Sequence, residues 1–456
     1  MRQTCPACQA PALEPLIVVD RTPVIIGVLC STEEDALGAV RRSLDLHLCG
    51  VCGTVVNVAF DPDLLEYDGH YDNSLHYSGT FRAFSAALAR RLVDTHGLAA
   101  RSIVEIGSGK GDFLRELCRL AGSSGTGYDP TYVGPDRAED ADVAFIVDYY
   151  GPRYSDLPGD FVVCRHVLEH IENPLAFLRN IRDALGERDA SMYLEVPNGG
   201  FMLSEAGAWD YIYPHVTYFS PAGLAAVITA AGFDVTGTGT AFGDQFLWVE
   251  ARTARASRDI APGTLAPGDV MGTVGDYVAS GRRFGSRYRD VVGRWTKEFA
   301  GEATPGRGPT AGMDTKARHT GADAQAQPDL TSGRVLVWGA GAKGVNFLNV
   351  VGAGAAVAGV VDLNPNKQGT FIPGTGHRVL APEEIAGMDI DRVLLPNALY
   401  LDEVRAFLDK LDVRAEVIPL LTEPRGTGTR GTVGGSTDEY RSTPAGGSAH
   451  VRRQGG

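Results

Sequence analysis

The residue types best suited to chemistry surround a glycine-rich loop in the first third of the chain. Gly107, Gly109 and Gly111 alternate along it, Glu105 precedes it, and Asp129 follows about 20 residues later. Glycine lets a ligand lie against the main chain, because it turns sharply and has no Cβ. The two carboxylates are placed to hold the hydroxyls of a ribose. The spacing departs from the dinucleotide fingerprint, since Gly111 follows Gly109 by two residues rather than three.

The segments on either side of this loop predict the elements that position it. The apolar run 103–106 is typical of a buried parallel strand. The apolar residues after the loop recur at helical spacing: Phe113, Leu114, Leu117 and Leu120. Strand, tight loop and helix in this order predict a doubly wound α/β sheet.

Three further side chains are predicted at the carboxyl edge of this sheet, where open α/β sheets bind ligands. Asp148 falls in the strand predicted over 144–149 and is expected to meet an adenine edge. His166 and His170 follow the strand predicted over 160–164. They would share one face of a helix, but they lack the His-Glu-x-x-His pattern, so a metal site is disfavoured.

A later histidine is a candidate general base. His215 stands among tyrosines, two residues after Tyr213, and a helix is predicted to begin at Ser220-Pro221. A histidine that only holds the loop by hydrogen bonds is an equal alternative on residue type alone.

Two Cys-x-x-Cys pairs near the N-terminus predict a metal site. The four residues are Cys5, Cys8, Cys49 and Cys52. Four thiolates make a closed tetrahedral site typical of structural zinc, although Cys30 or His47 could replace one ligand. Redox pairs are the alternative, and the lack of a thioredoxin-like context favours zinc. The metal would stabilise a β-rich module over 1–62 that is too short to bury its own core.

Two other regions could contact a substrate. The segment 66–79 is rich in Tyr and His, includes Tyr77, and is either a lid or a plain surface loop. A second glycine-rich unit, 339–344, follows an apolar strand and matches a dinucleotide site when taken alone. Its Lys343 places a cation at a helix start, where a phosphate would bind.

Composition and charge limit the possible partners. The 456 residues suffice for two to four domains, and the net charge of −14 argues against nucleic acid or an anionic membrane as partner. No apolar run reaches the roughly 18 residues of a membrane span, and the N-terminus has no apolar signal core. Seven cysteines, four of them in Cys-x-x-Cys pairs, favour a cytoplasmic enzyme with free thiols.

Taken in chain order, these features resemble one enzyme family. They are the paired cysteines, the Glu-x-Gly-x-Gly-x-Gly loop of class I S-adenosylmethionine (SAM) methyltransferases, the segments 168–171 and 215–220, and the segments 339–344 and 362–365. Together they resemble the nucleotide-sugar C-methyltransferases of antibiotic deoxysugar pathways. The resemblance covers 1–300 and 333–422.

The resemblance implies an α/β protein with three parts. A class I SAM-methyltransferase Rossmann-like sheet over 63–255 lies at the centre. The small β-rich zinc module precedes it, and a second Rossmann-like α/β domain over 334–423 follows and helps to bind the nucleotide sugar. A helical connection is predicted over 256–300, a mobile linker over 301–333 and a disordered tail over 424–456.

The resemblance also implies roles for single residues. The substrate would be a 4-keto-deoxysugar on a nucleoside diphosphate, the cofactors SAM and structural Zn²⁺, and His215 the base that removes a proton beside the ketone. Tyr213 and His170 would hydrogen-bond the sugar hydroxyl and the enolate oxygen. The residues expected to bind SAM are Glu105, Gly107, Gly109, Gly111, Asp129, Asp148 and His166. The residues expected to bind the substrate are Tyr77, Gly341, Lys343 and Asn364.

One departure leaves alternatives open. The family commonly has Tyr-His-Glu-His where this chain has only Tyr213-Pro214-His215, so the glutamate is missing. If that glutamate orients the base in the family, this chain either uses another acidic residue for the purpose or removes a proton from a different carbon acid. An O- or N-methyltransferase of another small metabolite would need proximity and desolvation rather than a strong base. An NAD-dependent enzyme using the second loop is disfavoured, because no hydride-relay residues accompany it.

Overall fold

The computed structural model describes residues 3–65, 74–205, 207–254, 263–264, 274–300, 334–421 and 441–444. The linker predicted over 301–333, most of the predicted lid, and the predicted tail except 441–444 lie outside these residues.

The N-terminal module is a small antiparallel sheet. Its elements are β1 (Leu13–Pro23), α1 (Glu33–Gly38), β2 (Arg41–Cys49) and β3 (Val55–Asn57). Alternation along β2 buries Leu44, Leu46 and Leu48 while the residues between them face outward. The fourth strand of this sheet comes from the central domain and pairs with β3.

The central domain alternates strands and helices. In order these are α2 (Gly79–His96), β4 (Ser102–Ile106), α3 (Asp112–Ala121), β5 (Ser124–Tyr128), β6 (Val143–Ile146), β7 (Phe161–Arg165), α4 (Pro174–Leu185), β8 (Ser191–Pro197), α5 (Gly199–Ser204), β9 (Thr217–Tyr218), α6 (Pro221–Ala230), β10 (Phe233–Ala241) and β11 (Phe246–Thr253). The helix predicted at Ser220-Pro221 is present, and the Ser220 Oγ caps it by accepting from the amide of Gly223 at 3.0 Å.

The order of the strands identifies the architecture. The strands β6-β5-β4-β7-β8 are parallel, with β4 near the middle, and β11 and β10 continue the sheet in antiparallel pairing. The chain therefore reverses between β4 and β7, and the carboxyl ends of both strands lie at a topological switch point. The predicted α/β fold class is confirmed.

The remaining elements belong mainly to a second α/β domain. They are α7 (Val274–Ala300), β12 (Val335–Trp338), α8 (Ala342–Val351), β13 (Val357–Val361), β14 (Val379–Leu380), β15 (Arg392–Leu395), α9 (Leu401–Lys410), β16 (Glu416–Pro419) and β17 (Arg441–Pro444). Strands β14-β13-β12-β15-β16 form a parallel sheet, whereas β17 pairs with β10 of the central sheet. Short 3₁₀ turns lie at Pro62–Leu64, Pro152–Tyr154, Leu168–His170, Gly354–Ala356, Pro382–Ile385 and Ala398–Tyr400.

The three parts share one hydrophobic core around the segment that precedes His215. Trp209 and Tyr211 are fully buried there, together with Phe284 of α7 and Phe347 of α8. The rings of Trp209 and Phe347 meet edge to face at 4.8 Å. The position of His215 is thus set by all three parts of the protein.

None of the helices in the described ranges combines the length and the hydrophobicity that a membrane crossing requires.

Candidate functional site

The glycine-rich loop between β4 and α3 has one face against the protein and one face open. All three glycines adopt left-handed φ values of 73°, 52° and 80°. A Cβ on Gly107 would lie 2.2 Å from Val167, and one on Gly111 would lie 2.2 Å from the ring of Phe145. A Cβ on Gly109 would meet nothing within 4 Å. Two glycines are therefore required for packing, and the third leaves space for a ligand.

Asp129 closes over this loop from the end of β5. Its Oδ2 accepts from the amide of Gly109 at 2.8 Å. Its Oδ1 accepts from the amide and the hydroxyl of Thr131 at 2.8 Å and 2.7 Å. The carboxylate is fixed beside the open glycine, as a hydrogen-bond acceptor for ligand hydroxyls must be.

Glu105 lies at the end of β4 with an unused oxygen. The residue is only 4% exposed, and its Oε2 is buried without a hydrogen-bond partner. Burial raises the pKa of Glu105 to about 8, although Arg165 acts in the opposite direction. An acid in this state is ready to ionise when a cation or another donor reaches it.

The strand that leads to Asp148 is shorter than predicted. β6 ends at Ile146, two residues before Asp148. The Asp148 carboxylate accepts hydrogen bonds from the Tyr154 hydroxyl and, at 2.9 Å, from Arg153. The Tyr154 hydroxyl is the main cause that lowers the pKa of Asp148.

His166 does not share a helix with His170. It has a left-handed φ of 54°, and His170 lies in the 3₁₀ turn that follows. Its Nε2 lies 3.2 Å from Glu195 Oε1, and its Nδ1 lies 3.7 Å from Glu169 Oε1. Burial alone would lower the pKa of His166, but these two carboxylates outweigh it and raise the pKa to about 9.

Glu195 is a buried carboxylate with all its capacity used. Arg165 contacts it at 2.8 Å, the Tyr193 hydroxyl donates to it at 2.8 Å, and it is 0% exposed. Burial would raise its pKa, yet Arg165 and His166 lower it to about 2. Glu195 therefore stays ionised and holds His166 at the edge of the sheet.

His215 and His170 lie together, edge to face, with ring centroids 4.7 Å apart. His170 Nδ1 is 3.0 Å from the carbonyl oxygen of Pro214, which can only accept, so this nitrogen carries a proton. His215 Nδ1 is buried without a hydrogen-bond partner. Burial lowers the pKa of His215 well below the ordinary value, and His170 lowers it further. At neutral pH, His215 is an uncharged imidazole that can accept a proton.

Tyr213 lies close in sequence to His215 but is bonded to the N-terminal module. Its hydroxyl oxygen accepts from the amide of Asp61 at 3.1 Å, and its ring stacks on Phe60 at 5.9 Å. The same module reaches the other side of His215, because β9 pairs with β3 and the Ser220 hydroxyl donates to the carbonyl of Cys52.

The four residues expected at the substrate come from two parts of the chain. Tyr77 is 37% exposed, and its hydroxyl accepts from Asn366 Nδ2 at 3.3 Å. Lys343 contacts Asp210 at 2.7 Å and donates to Gln245 at 2.9 Å, so the cation already has protein partners. Gly341 caps α8 with open space beside it, and Asn364 is 2% exposed with its Nδ2 unpartnered.

The four cysteines converge as predicted. Cys5 Sγ lies 3.7 Å from Cys52 Sγ, and Cys8 Sγ lies 3.7 Å from Cys49 Sγ. All four sulfurs lie within 4.8 Å of one another and are buried. Tetrahedral zinc with bonds of about 2.3 Å separates its sulfurs by about 3.8 Å, so the cluster is compatible with zinc.

Two site residues were not predicted from the sequence. Glu169 is 1% exposed between the two histidines of the 166–170 segment, and Asp210 contacts Lys343. A carboxyl group between two histidines of the same short segment was a signal for Glu169. Asp210 could not be found, because its partner lies more than 130 residues away in sequence.

Two family models match this chain. One, described as a methyltransferase domain, matches residues 78–237, and the other, described as a C-methyltransferase C-terminal domain, matches residues 323–414. Among curated proteins, no sequence match is found. The two matched regions coincide with the central domain and the second α/β domain. The chain is a SAM-dependent methyltransferase with a class I methyltransferase sheet at its centre.

Solved structures similar to part of this chain include three methyltransferases. Magnesium protoporphyrin IX methyltransferase from Synechocystis is 18% identical over 38% of this chain and 84% of that one, with a TM-score of 0.31. A 1,6-didemethyltoxoflavin-N1-methyltransferase from Burkholderia thailandensis is 16% identical over 39% and 81%, with a TM-score of 0.28. A SAM-dependent methyltransferase from Archaeoglobus fulgidus is 19% identical over 40% and 100%, with a TM-score of 0.31. At these values the likeness carries no conclusion about the substrate.

Proposed function

We propose that the protein methylates carbon, acting on a 4-keto-deoxysugar linked to a nucleoside diphosphate, with His215 as the general base. The observation that carries this proposal is the environment of His215. It is a neutral imidazole with an unpartnered nitrogen, next to a second histidine, near the switch point of the sheet. A carbon beside a ketone becomes a nucleophile only when a proton is removed, whereas an oxygen or nitrogen already carries a lone pair and needs no strong base.

The residues around His215 fit the removal of a proton beside a ketone. His215 takes the proton from the carbon, and the electron pair of the C–H bond moves toward the ketone oxygen. His170, whose Nδ1 is held by Pro214, presents its other ring nitrogen to the sugar. Tyr213 supports this arrangement through its bonds to the module and orders the segment that bears the base.

The loop of Gly107, Gly109 and Gly111 fits SAM. The open space beside Gly109 lets SAM lie against the main chain of the loop. Asp129 would accept hydrogen bonds from the ribose hydroxyls, and the unpaired oxygen of Glu105 would accept one from a donor such as an ammonium group. Bound SAM supplies an electrophilic methyl group. We assign Asp148 and His166 to the rim of the same site, since both follow the carboxyl ends of its strands.

The cysteine cluster fits a structural zinc ion. Cys5, Cys8, Cys49 and Cys52 would hold it, and a closed set of four thiolates leaves no position for water or substrate. We place the protein in the cytoplasm, because such thiolates persist in a reducing compartment.

The second α/β domain is proposed to hold the nucleotide end of the substrate. Its family description supports carbon methylation, and its glycine-rich loop lies against the segment that leads to His215. Lys343, Gly341 and Asn364 lie at the carboxyl edge of its sheet, and Tyr77 approaches that edge from the central domain. These are the groups that a nucleoside diphosphate would meet.

The test is transfer of a labelled methyl group from SAM to TDP-4-keto-deoxysugars in deuterated water. We expect deuterium to enter the carbon beside the ketone, methyl to appear there, and both to be lost in His215→Asn. His96→Asn is the matched control, because His96 contacts Glu250 at the opposite edge of the sheet. Methyl found on oxygen or nitrogen, with His215→Asn still active, would replace the proposal with an O- or N-methyltransferase.

A further inference from the structure

We infer that Glu169 is the positioning residue for His215: it orients the imidazole and balances the charge that appears when the base takes its proton. The inference rests on the proposed function, because it assigns a partner to the proposed base. The chain has no glutamate beside His215 in sequence, so the fold would supply one from the turn after β7.

The backbone ties Glu169 to the segment of the base. Glu169 lies in the 3₁₀ turn Leu168–His170, and its carbonyl oxygen accepts from the amide of Val216, next to His215, at 2.8 Å. A bond between these two main chains fixes the distance between the side chains that flank it. The turn and the base segment therefore move as one unit.

The side chains converge from this frame. Ligand atoms of Glu169, His170 and His215 all lie within 4.8 Å of one another. Glu169 is 1% exposed, and its Oε2 is buried without a hydrogen-bond partner, as is His215 Nδ1. Glu169 and His215 thus each have a buried polar atom without a hydrogen-bond partner, and their side chains are close together. A buried polar atom that stays unpaired destabilises the fold, so a pair of them points to a functional role.

The other buried carboxylate of the site cannot perform this role. Glu195 already contacts Arg165, Tyr193 and His166. Among the described residues, the Glu169 side chain makes one ion-pair contact, in which its Oε1 lies 3.7 Å from His166 Nδ1. Its second oxygen remains available to the histidine pair.

The charge balance explains why a carboxylate is needed. A proton that leaves carbon for one ring nitrogen of His215 makes an imidazolium in a buried site, which burial strongly disfavours. Among the described residues, the titratable groups around His215 are His170, His166, Tyr218 and Glu169, and of these Glu169 is the one carboxyl group. The second ring N–H of the imidazolium then donates a hydrogen bond to the Glu169 side chain.

The decisive variant is Glu169→Gln, which keeps the shape and removes the charge. Glu172→Gln is the matched control, because Glu172 is an exposed glutamate three residues later. We expect Glu169→Gln to lower kcat by about 100-fold with KM within about threefold, and the control to behave as wild type. Glu169→Asp, which restores the charge at shorter reach, should recover part of the rate and serves also if the glutamine variant folds poorly.

A second readout needs no substrate and separates this inference from the proposed function. The ring of His215 is labelled and its pKa is followed by NMR in wild type, Glu169→Gln and Glu172→Gln. Loss of a nearby carboxylate should lower the pKa of His215 by about one unit. An unchanged pKa together with an unchanged kcat overturns the inference, as does a divalent metal bound by His215. A lowered pKa in an enzyme that methylates no keto sugar retains the pairing and rejects only the proposed substrate.

Discussion

Lys343 Nζ lies 2.7 Å from Asp210 Oδ1 and joins the second glycine-rich loop to the segment that leads to His215. Both side chains are largely buried, at 24% and 9% exposure. Asn346, one turn further along α8, donates to the carbonyls of Trp209 and Tyr211. The nucleotide-binding half of the proposed site is thereby bonded directly to its catalytic half.

Asp210→Asn should lower both the stability of the protein and its kcat. A buried cation that loses its carboxylate costs about 1–3 kcal/mol of unfolding free energy. We also expect kcat to fall, because the segment before His215 loses one of its bonds to α8. Denaturant unfolding and steady-state kinetics measure the two effects. Asp140→Asn, which removes an exposed partner of Arg115, is the control and should change neither.

Glu105→Gln should raise stability and weaken SAM binding. The pKa of Glu105 is raised to about 8 in the folded protein, so the folded state holds its proton more tightly than the unfolded state. The stability due to this group is complete below about pH 4.5 and is lost as the pH rises towards 8. Glutamine removes that loss, which amounts to about 3 kcal/mol at pH 7.

The measurement for Glu105 is denaturant unfolding of both proteins between pH 5 and pH 8. The two stabilities should agree near pH 5 and separate as the pH rises. Calorimetry with SAM should show affinity lowered about 10- to 100-fold in the variant, since a charge-assisted hydrogen bond is lost. A constant stability difference at all pH values would contradict the assignment of a raised pKa.

The glycines of the SAM loop should separate packing from binding. Gly111→Ala places a Cβ 2.2 Å from Phe145, so we expect a loss of about 2–4 kcal/mol in unfolding free energy. Gly109→Ala meets no protein atom and should cost only about 1–2 kcal/mol from its left-handed backbone. Its larger effect should be on the dissociation constant of SAM, which we expect to rise at least tenfold. If Gly109→Ala and Gly111→Ala lose the same SAM affinity and the same stability, the separation of a packing glycine from a binding glycine is wrong.

Removal of zinc should inactivate catalysis before it affects SAM binding. The proposed metal site is joined to the segment that bears His215 by the β3–β9 pairing and by the hydrogen bond from Ser220 to Cys52. The glycine-rich loop, in contrast, follows β4, which belongs to the other sheet. Metal analysis should give one zinc per chain, and Cys52→Ser should lower it together with kcat. SAM affinity in Cys52→Ser should stay within about threefold of wild type, because the residues expected to bind SAM belong to the central domain and not to the module. Cys30→Ser, outside the cluster, is the control.

Local sequence was enough to predict that the glycine-rich loop and its two flanking acids come together. A loop of alternating glycines, the acid before it and the acid after the next strand are tied to one strand–loop–helix unit, so spacing alone places them together. The fold class followed from the same unit repeated along the chain. The cysteine cluster was predicted for a similar reason, since ligand type and pairing imply convergence even across 40 intervening residues.

The base half depends on contacts between distant segments. Tyr213 is predicted at the sugar and Lys343 at a phosphate, but their contacts with the loop at 59–61 and with Asp210 could not be predicted from the sequence. Hydrogen bonds and ion pairs between segments that are distant in sequence produce no periodic pattern in either segment, so they cannot be predicted from spacing. The β6 strand also ends before Asp148, whose side chain accepts hydrogen bonds from Arg153 and Tyr154.

The pairing of β3 with β9 also governs the order in which the protein can form. Residues 55–57 leave the ribosome long before their partners at 217–218, which follow after roughly 160 residues, or about 10–30 seconds of synthesis. During that interval the edge of the module's sheet is open, and a metal ion held by the four cysteines is what would keep the early strands folded. The segment that bears His215 then closes that edge.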